Sequence, residues 1–274
     1  MKKLLSSALA LALCASLAGC GSSNAGDGED KTLKIGASIT PHAEILNNIK
    51  PDLEEMGYTV EITEFSDYNT PNEAVVDGTL DANYFQHNQY LAQWNEERGT
   101  DLVSAGDVHF EPMGIYSDKY KSLDELKEGQ HVTIGIPNDA TNGGRALQLL
   151  ASKGLFTLDE SLGIKATPND IGESKYDIEI VEMNAETVPV SLSDMDLGVV
   201  NGNNALNADV LDKLLVTEDA SGVAQQFANC VAVRKGDEDS QKIKDLMSVL
   251  KSQKTIDFIN ENYDGIVVPF FTVE

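Results

Sequence analysis

The chain has 274 residues and a formal net charge of −25. A surface so acidic repels nucleic acid and anionic lipid headgroups, which excludes nucleic-acid partners and argues against a basic docking patch. Three cysteines are too few for a disulfide framework, and the 6% of aromatic residues sit beside apolar segments too periodic for disorder.

The N-terminus carries Lys2 and Lys3, an apolar run from Leu4 to Ala18, and small residues before Cys20. A basic start, an apolar stretch short of a membrane span and a small-residue cut site predict a signal peptide over residues 1–19. Leu17-Ala18-Gly19-Cys20 resembles the lipobox of bacterial lipoproteins, and Gly21-Ser22-Ser23-Asn24 opens a flexible tether that runs to residue 31. By that resemblance Cys14 leaves with the signal and lipid would occupy Cys20. Cys230, in an apolar strand-like run, then reads as a buried, unpaired thiol.

Residues 33–37 predict a strand. Thr40-Pro41 reads as a helix start, a hydroxyl cap followed by Pro at the first helical position. Ile45, Ile49, Leu53 and Met56 carry the helical period to Gly57, and Pro51 within it predicts a kink or break. A second strand is predicted at 59–65. Thr70-Pro71-Asn72-Glu73 has the pattern of a capping box leading a short helix to Gly78. A strand at 81–85, a helix at 89–98 ended by Gly99 and a strand at 101–105 follow. This alternation predicts a mostly parallel sheet. It then repeats: a capping box at Ser122-Leu123-Asp124-Glu125, a strand at 131–136, a helix at 141–153, a strand at 176–183, a short helix at 186–193 and a buried strand at 197–200. Segments 110–116 and 227–233 read as links between two α/β lobes, and 240–262 as one long helical stretch returning to the first. The predicted division is 32–112 plus 229–274 for lobe 1 and 113–228 for lobe 2.

Candidate chemistry lies at strand ends, where open α/β sheets bind ligands. Residues 137–145 place Asn142, Gly143, Gly144 and Arg145 at a helix start. Unpaired N–H groups, glycines that admit close approach and a planar guanidinium suit a carboxylate. A capped helix with a surface Arg in a weak ion pair is the competing reading. Residues 83–90, with Tyr68, bring Phe85, His87 and Tyr90 toward one rim, aromatic walls suited to an apolar or thioether side chain. His87 near a helix N-terminus leans toward neutral imidazole. The competing reading puts Phe85 and Tyr90 in the core and makes His87 a cap. Asn201, after the buried strand, and Asn229, in the second link, could each accept from an ammonium group, although a lone Asn is more often a turn residue. No Gly-x-Ser-x-Gly or His-Glu-x-x-His motif occurs, and the histidines at 42, 87, 109 and 131 lack zinc-ligand spacing. A receptor without catalysis is the reading these residues favour. A metal receptor using His87 and His109, and an exported hydrolase using a carboxylate or Cys230, are the rivals.

The lipobox, Thr40-Pro41-His42-Ala43-Glu44-Ile45-Leu46, Phe65-Ser66-Asp67-Tyr68, Pro71-Asn72-Glu73-Ala74, Asp81-Ala82-Asn83-Tyr84-Phe85-Gln86-His87 and the segment from Pro137 to Arg145 occur in this order. Together they resemble the NlpA-type methionine-binding lipoproteins of ABC importers, over nearly the whole chain from Leu33. The resemblance implies an α/β, two-lobe periplasmic-binding-protein fold (type II-like) with the ligand in the interlobe cleft. It implies capture of L-methionine for a permease with its ATPase, with no cofactor, metal or catalysis. It also implies diacylglycerol on Cys20, an acyl chain such as palmitate on its amine, and anchorage on the extracytoplasmic face of the cell membrane. By the same resemblance Arg145 would hold the α-carboxylate, helped by Asn142 and the Gly143 backbone. Asn201 and Asn229 would hold the amino end, and Tyr68, Phe85, His87 and Tyr90 would wall the thioether. Gln89 stands where many relatives have Pro, and Asn203-Asn204-Ala205 where an aromatic Tyr is common. These departures leave a methionine-containing dipeptide, D-methionine or another apolar amino acid as alternative ligands.

Overall fold

Two mixed sheets form, and the chain crosses between them twice. The computed structural model describes residues 31–219 and 226–273; the leader, Cys20 and the tether up to residue 30 lie outside them. The chain enters through β1 (Thr32–Ser38), turns irregularly through Ile39–Ala43 and forms α1 (Glu44–Glu55). β2 (Thr59–Phe65), α2 (Thr70–Val76), β3 (Ala82–His87), α3 (Asn88–Arg98) and β4 (Val103–Phe110) follow. After the first crossing come β5 (Gly114–Tyr116), β6 (His131–Pro137), α4 (Ala140–Ser152), β7 (Asp177–Met183), β8 (Leu197–Val200), α5 (Gly202–Asn207) and β9 (Leu214–Thr217). The chain returns through β10 (Ala228–Val233), α6 (Gln241–Leu250), α7 (Gln253–Asn262) and the short β11 (Val268–Pro269).

The first sheet has the order β11-β4-β10-β3-β1-β2 and the second β7-β6-β8-β5-β9. β1 pairs in parallel with β2 and β3, and β6 with β7 and β8, as strand–helix alternation predicts. β10 runs antiparallel between β3 and β4, and β5 antiparallel between β8 and β9. Each of these two opens directly after a crossing; the short β11 also runs antiparallel to β4 but follows α7. A chain arriving at the edge where the neighbouring strands end can only run back along them. Residues 228–233 are therefore an internal strand of the first sheet rather than a link.

Both faces of the first sheet are packed. Leu33, Ile35, Ile45, Ile49, Leu53, Ile243, Leu246 and Ile259 share one cluster, and Val75, Leu80, Phe85, Leu91 and Trp94 share another. Met113, Ile134, Ile136, Leu147 and Leu150 fill the second sheet's main core, with Tyr116, Val188 and Leu192 in a further cluster.

Several predicted boundaries move, some for local reasons and some through packing. Thr40 is extended (φ −124°, ψ 136°), so the helix starts at Glu44, and the Thr40 hydroxyl donates to the Glu44 carboxylate at 2.8 Å instead of capping a backbone N–H. α1 runs through Pro51 without a break, because the row Ile45, Leu46, Ile49 and Leu53 is fully buried and outweighs one missing hydrogen bond. The capping box at Thr70 does not form. Asp67 takes over, accepting from the Asn69 and Thr70 N–H groups at 2.8 Å each and from the Thr70 hydroxyl. The short helix predicted at 186–193 is a 3₁₀ turn over Pro189–Asp194. The stretch 240–262 splits at Lys251-Ser252. The break lets α6 and α7 each turn a buried face onto the cluster that holds α1.

Candidate functional site

β3, β6 and β8 each run at their C-terminal ends into a helix: His87 leads into α3, Asp139 into α4 and Asn201 into α5. These three ends converge. They enclose a cavity of about 20 Å³ lined by Tyr68, Phe85, His87, Tyr90, Asn142, Arg145, Asn201 and Asn229, together with Gln86, Glu111, Gly202 and Asn203. Eight of the nine residues singled out in the sequence thus share one cavity, and both sheets contribute to it.

Gly143 is the ninth and does not line it. Its N–H donates to Asp139 O at 2.8 Å, an ordinary helical bond, and a Cβ there would stand 3.0 Å from Pro137 O. The first turn of α4 offers no free N–H at Asn142 either. The Asp139 carboxylate caps it, accepting from Asn142 N at 2.9 Å and from the Thr141 hydroxyl at 2.9 Å. Asn142 is likewise committed within the protein. Its Nδ2 donates to both Asp139 oxygens at 3.0 Å, and its Oδ1 accepts from Asn201 Nδ2 at 2.8 Å and His87 Nε2 at 3.2 Å. The N–H groups of Asn142 and Gly143 are thus taken, both by the Asp that precedes the helix.

His87 Nδ1 accepts from Tyr90 N at 3.0 Å, so the proton sits on Nε2, which faces Asn142. Burial, then the nearby Arg145 charge, lowers its pKa to about 3, and the ring is neutral. The ring of Tyr68 lies 6.0 Å from that of Phe85 and 5.9 Å from that of Tyr90, and His87 and Phe227 meet edge to face at 5.1 Å. Phe85 and Tyr90 also belong to the core cluster of the first sheet, so these two rings pack in the core and line the cavity as well. Tyr68 fastens one side of the cavity to the other. Its hydroxyl donates to Asn203 Oδ1 at 2.6 Å and accepts from Asn204 Nδ2 at 2.9 Å.

Arg145 is buried, with only 5% exposure, and its ion pair is with Glu218. Phe227 packs against the guanidinium, 4.2 Å from ring centroid to Cζ. Asn201 has the least satisfied side chain of the group. Nδ2 is bonded to Asn142, while Oδ1 is buried without a partner. Asn229 Oδ1 lies 3.0 Å from His42 Nε2.

Below the cavity sits a polar trio. His109 Nε2 is 2.7 Å and His42 Nε2 3.5 Å from Glu111 Oε1, and the Tyr84 hydroxyl bonds His109 Nδ1. Glu111 Oε2 accepts from Asn203 N at 2.8 Å. Burial opposes ionisation of Glu111, but the hydrogen bond from His109 and the neighbouring His42 outweigh it, and its carboxyl lies below the usual range. Burial lowers the His42 pKa to about 4. The donor atoms of His42, His109 and Glu111 fall within 4.8 Å of one another, a grouping a divalent ion could use, yet here they bond to each other and to Tyr84. His87, which the metal reading required, is bonded to Asn142 instead.

Neither Glu111 nor Glu218 was singled out as a site residue. In a chain this acidic, one more carboxylate carries no local signal, and the partners lie 34 and 73 residues from Arg145. An outer cavity of about 440 Å³ shares Tyr68 and Tyr90 with the inner one and is bounded by Asp67, Trp94 and Arg98 on one side and Asn138, Thr141 and Glu186 on the other. A larger cavity of about 1020 Å³ flanks the far side of α4, lined by Leu149, Leu155, Phe156 and Ile164. It takes in Arg145 and Glu218 but none of Tyr68, Phe85, His87 or the asparagines, so it lacks the aromatic wall and the amides that line the inner cavity.

Residues 33–271 match the model of the NlpA lipoprotein family. The methionine-binding lipoprotein MetQ of Bacillus subtilis is 42% identical over 274 residues, spanning 98% of this chain and 99% of that one. The D-methionine-binding lipoprotein MetQ of Salmonella typhimurium is 33% identical over 255 residues, 91% of each chain. A solved nutrient binding protein from Burkholderia cenocepacia, bound to methionine, superposes with a TM-score of 0.81 at 36% identity, covering 87% of this chain and 100% of that one. With a family match across the whole body of the chain and relatives this similar along their full length, the chain belongs to the NlpA lipoprotein family.

Proposed function

We propose that this is a lipid-anchored substrate-binding protein on the extracytoplasmic face of the cell membrane. It captures L-methionine between two lobes, 32–112 plus 229–274 and 113–228, and hands it to an ABC permease with its ATPase. The observation that carries this reading is Asn201 Oδ1, a buried acceptor without a partner in a cavity that also holds Arg145 and an aromatic wall. An unpaired buried acceptor costs about 1–3 kcal/mol, which a ligand ammonium would relieve. Arg145 meets the carboxylate, Asn229 supports the amino end, and Asn142 aligns His87 and Asn201. Tyr68, Phe85, His87 and Tyr90 surround the side chain, where sulfur packs well against ring edges.

The inner cavity, about 20 Å³, has room for a water molecule and not for an amino acid. Uptake therefore requires the walls to part and the contact of Tyr68 with Asn203 and Asn204 to open. A ligand touching both sides then favours the closed state by its differential affinity. The protein performs no chemistry of its own. Cys230, the rival nucleophile, is fully buried with its thiol pushed up to about 12 by that burial. Cys20 carries the lipid, and among the described residues no helix is long and apolar enough to cross a membrane.

A second reading, D-methionine, is favoured by the relatives named for that ligand. Titration calorimetry with L-methionine, D-methionine, glycyl-L-methionine and L-leucine separates the readings. L-methionine should bind tightest, and a chelator should change nothing. A flat titration with L-methionine would overturn the assignment, and tighter binding of the D-isomer would transfer it.

A further inference from the structure

The guanidinium of Arg145 already holds a carboxylate. Nε donates to Glu218 Oε2 at 3.1 Å, while Nη2 donates to Glu218 Oε1 and to Glu111 O at 2.8 Å. Glu218 Oε1 also accepts from Met113 N at 2.8 Å, and its side chain is only 7% exposed. Phe227 covers one face of the guanidinium. Nη1 makes no hydrogen bond to a described residue.

A ligand carboxylate arriving at Arg145 has two routes: it displaces Glu218, or it docks on what Glu218 leaves. Displacement would strand a buried carboxylate with one N–H for company, and an uncompensated buried charge is strongly unfavourable. The geometry points to the second route. Glu218 is a positioning residue that holds the Nε–Nη2 edge of Arg145 and presents Nη1 as the nitrogen that meets the ligand carboxylate. This rests on Arg145 being the carboxylate site proposed above. It changes the picture of that site, because the ligand meets one nitrogen of an arginine already aligned and neutralised, rather than a vacant two-pronged fork.

The test is calorimetry on the wild type and Glu218→Gln with two probes, L-methionine and L-methioninamide, in which a neutral amide replaces the carboxylate. Glu218→Gln should weaken L-methionine by about tenfold or more and leave the affinity for L-methioninamide close to that of the wild type. Tighter binding of L-methionine in the variant would make Glu218 a competitor and overturn the proposal. An equal loss for both probes would reduce it to general structural support and also overturn it, as would an unchanged affinity. Should the variant not fold, a crystal structure of the wild-type protein with L-methionine decides: Glu218 on Nε and Nη2 with the ligand on Nη1 supports the proposal, and a displaced Glu218 sinks it. If the wild type binds no methionine, the carboxylate-site reading itself fails and this inference goes with it. If the wild type binds and only the Glu218 results disagree, the inference falls alone.

Discussion

Arg145 was legible in the sequence because Gly-Gly-Arg follows a strand and opens a helix. Its partner was not, and the partner alters what a substitution at 145 reports. Arg145→Ala would remove the proposed ligand contact and also leave Glu218 buried without its cation, so the loss, about 3–5 kcal/mol, mixes binding with folding. The double variant Arg145→Ala/Glu218→Gln separates them. We expect the single variant to lose methionine binding and melt earlier than wild type, and the double variant to regain melting temperature without regaining binding. Near-native calorimetric affinity in the double variant would remove Arg145 from the site. Asn201 was legible as an amide at a strand tip. That its oxygen alone lacks a partner depends on Asn142, 59 residues away, claiming its Nδ2.

At the scale of elements, local signals predict well where the chain satisfies itself locally. Gly99 ends α3 in the left-handed region at φ 67°, as its position implies. The signals fail where a distant surface sets the geometry, as at Ser252, where the break turns α6 and α7 onto the cluster that holds α1. The Gly143-Gly144 pair shows the difference most sharply. Its place at a helix start suggested room for a ligand, yet a Cβ on Gly144 would fall 2.0 Å from Ile164 O, in the backbone of the turn Glu160–Lys165 packed on α4. The glycine is there to let two backbones meet. Gly144→Ala should therefore cost at least about 1–3 kcal/mol in urea denaturation, and Gly143→Ala, which meets only Pro137 O at 3.0 Å, distinctly less. Equal costs would show that the turn can move aside.

At the scale of the whole molecule, two neutral histidines are sealed between groups that other elements supply. His42 and His87 have pKa values lowered from 6.5 to about 4 and about 3, chiefly by burial. The unfolded chain takes up these protons near pH 6.5 while the folded protein resists until pH 3–4, so the unfolded state binds more protons in between. Stability is then lost as pH falls through that window. Glu111, whose carboxyl is held below its usual range, adds to the loss in the same direction. The melting temperature should drop steadily from about pH 6.5 downward, with a shallower slope in His42→Gln than in wild type. A slope that is the same in both would place the acid sensitivity elsewhere. The same burial ties the cavity to the fold, because Glu111 joins the trio beneath it to Asn203, and Asn203 meets Tyr68 across it.

The order of strands and helices, the strand ends where a ligand would sit and most residues lining the cavity follow from the sequence alone. Hydrophobic period, caps and glycine stops act over a few residues and are written in consecutive letters. Only the tertiary structure decided the reversal of β5 and β10, the pairing of Arg145 with Glu218, the unpartnered oxygen of Asn201 and the closing of the cavity to about 20 Å³. Each depends on which distant groups take up a hydrogen bond or fill a volume first, and those assignments are made only when the two sheets come together.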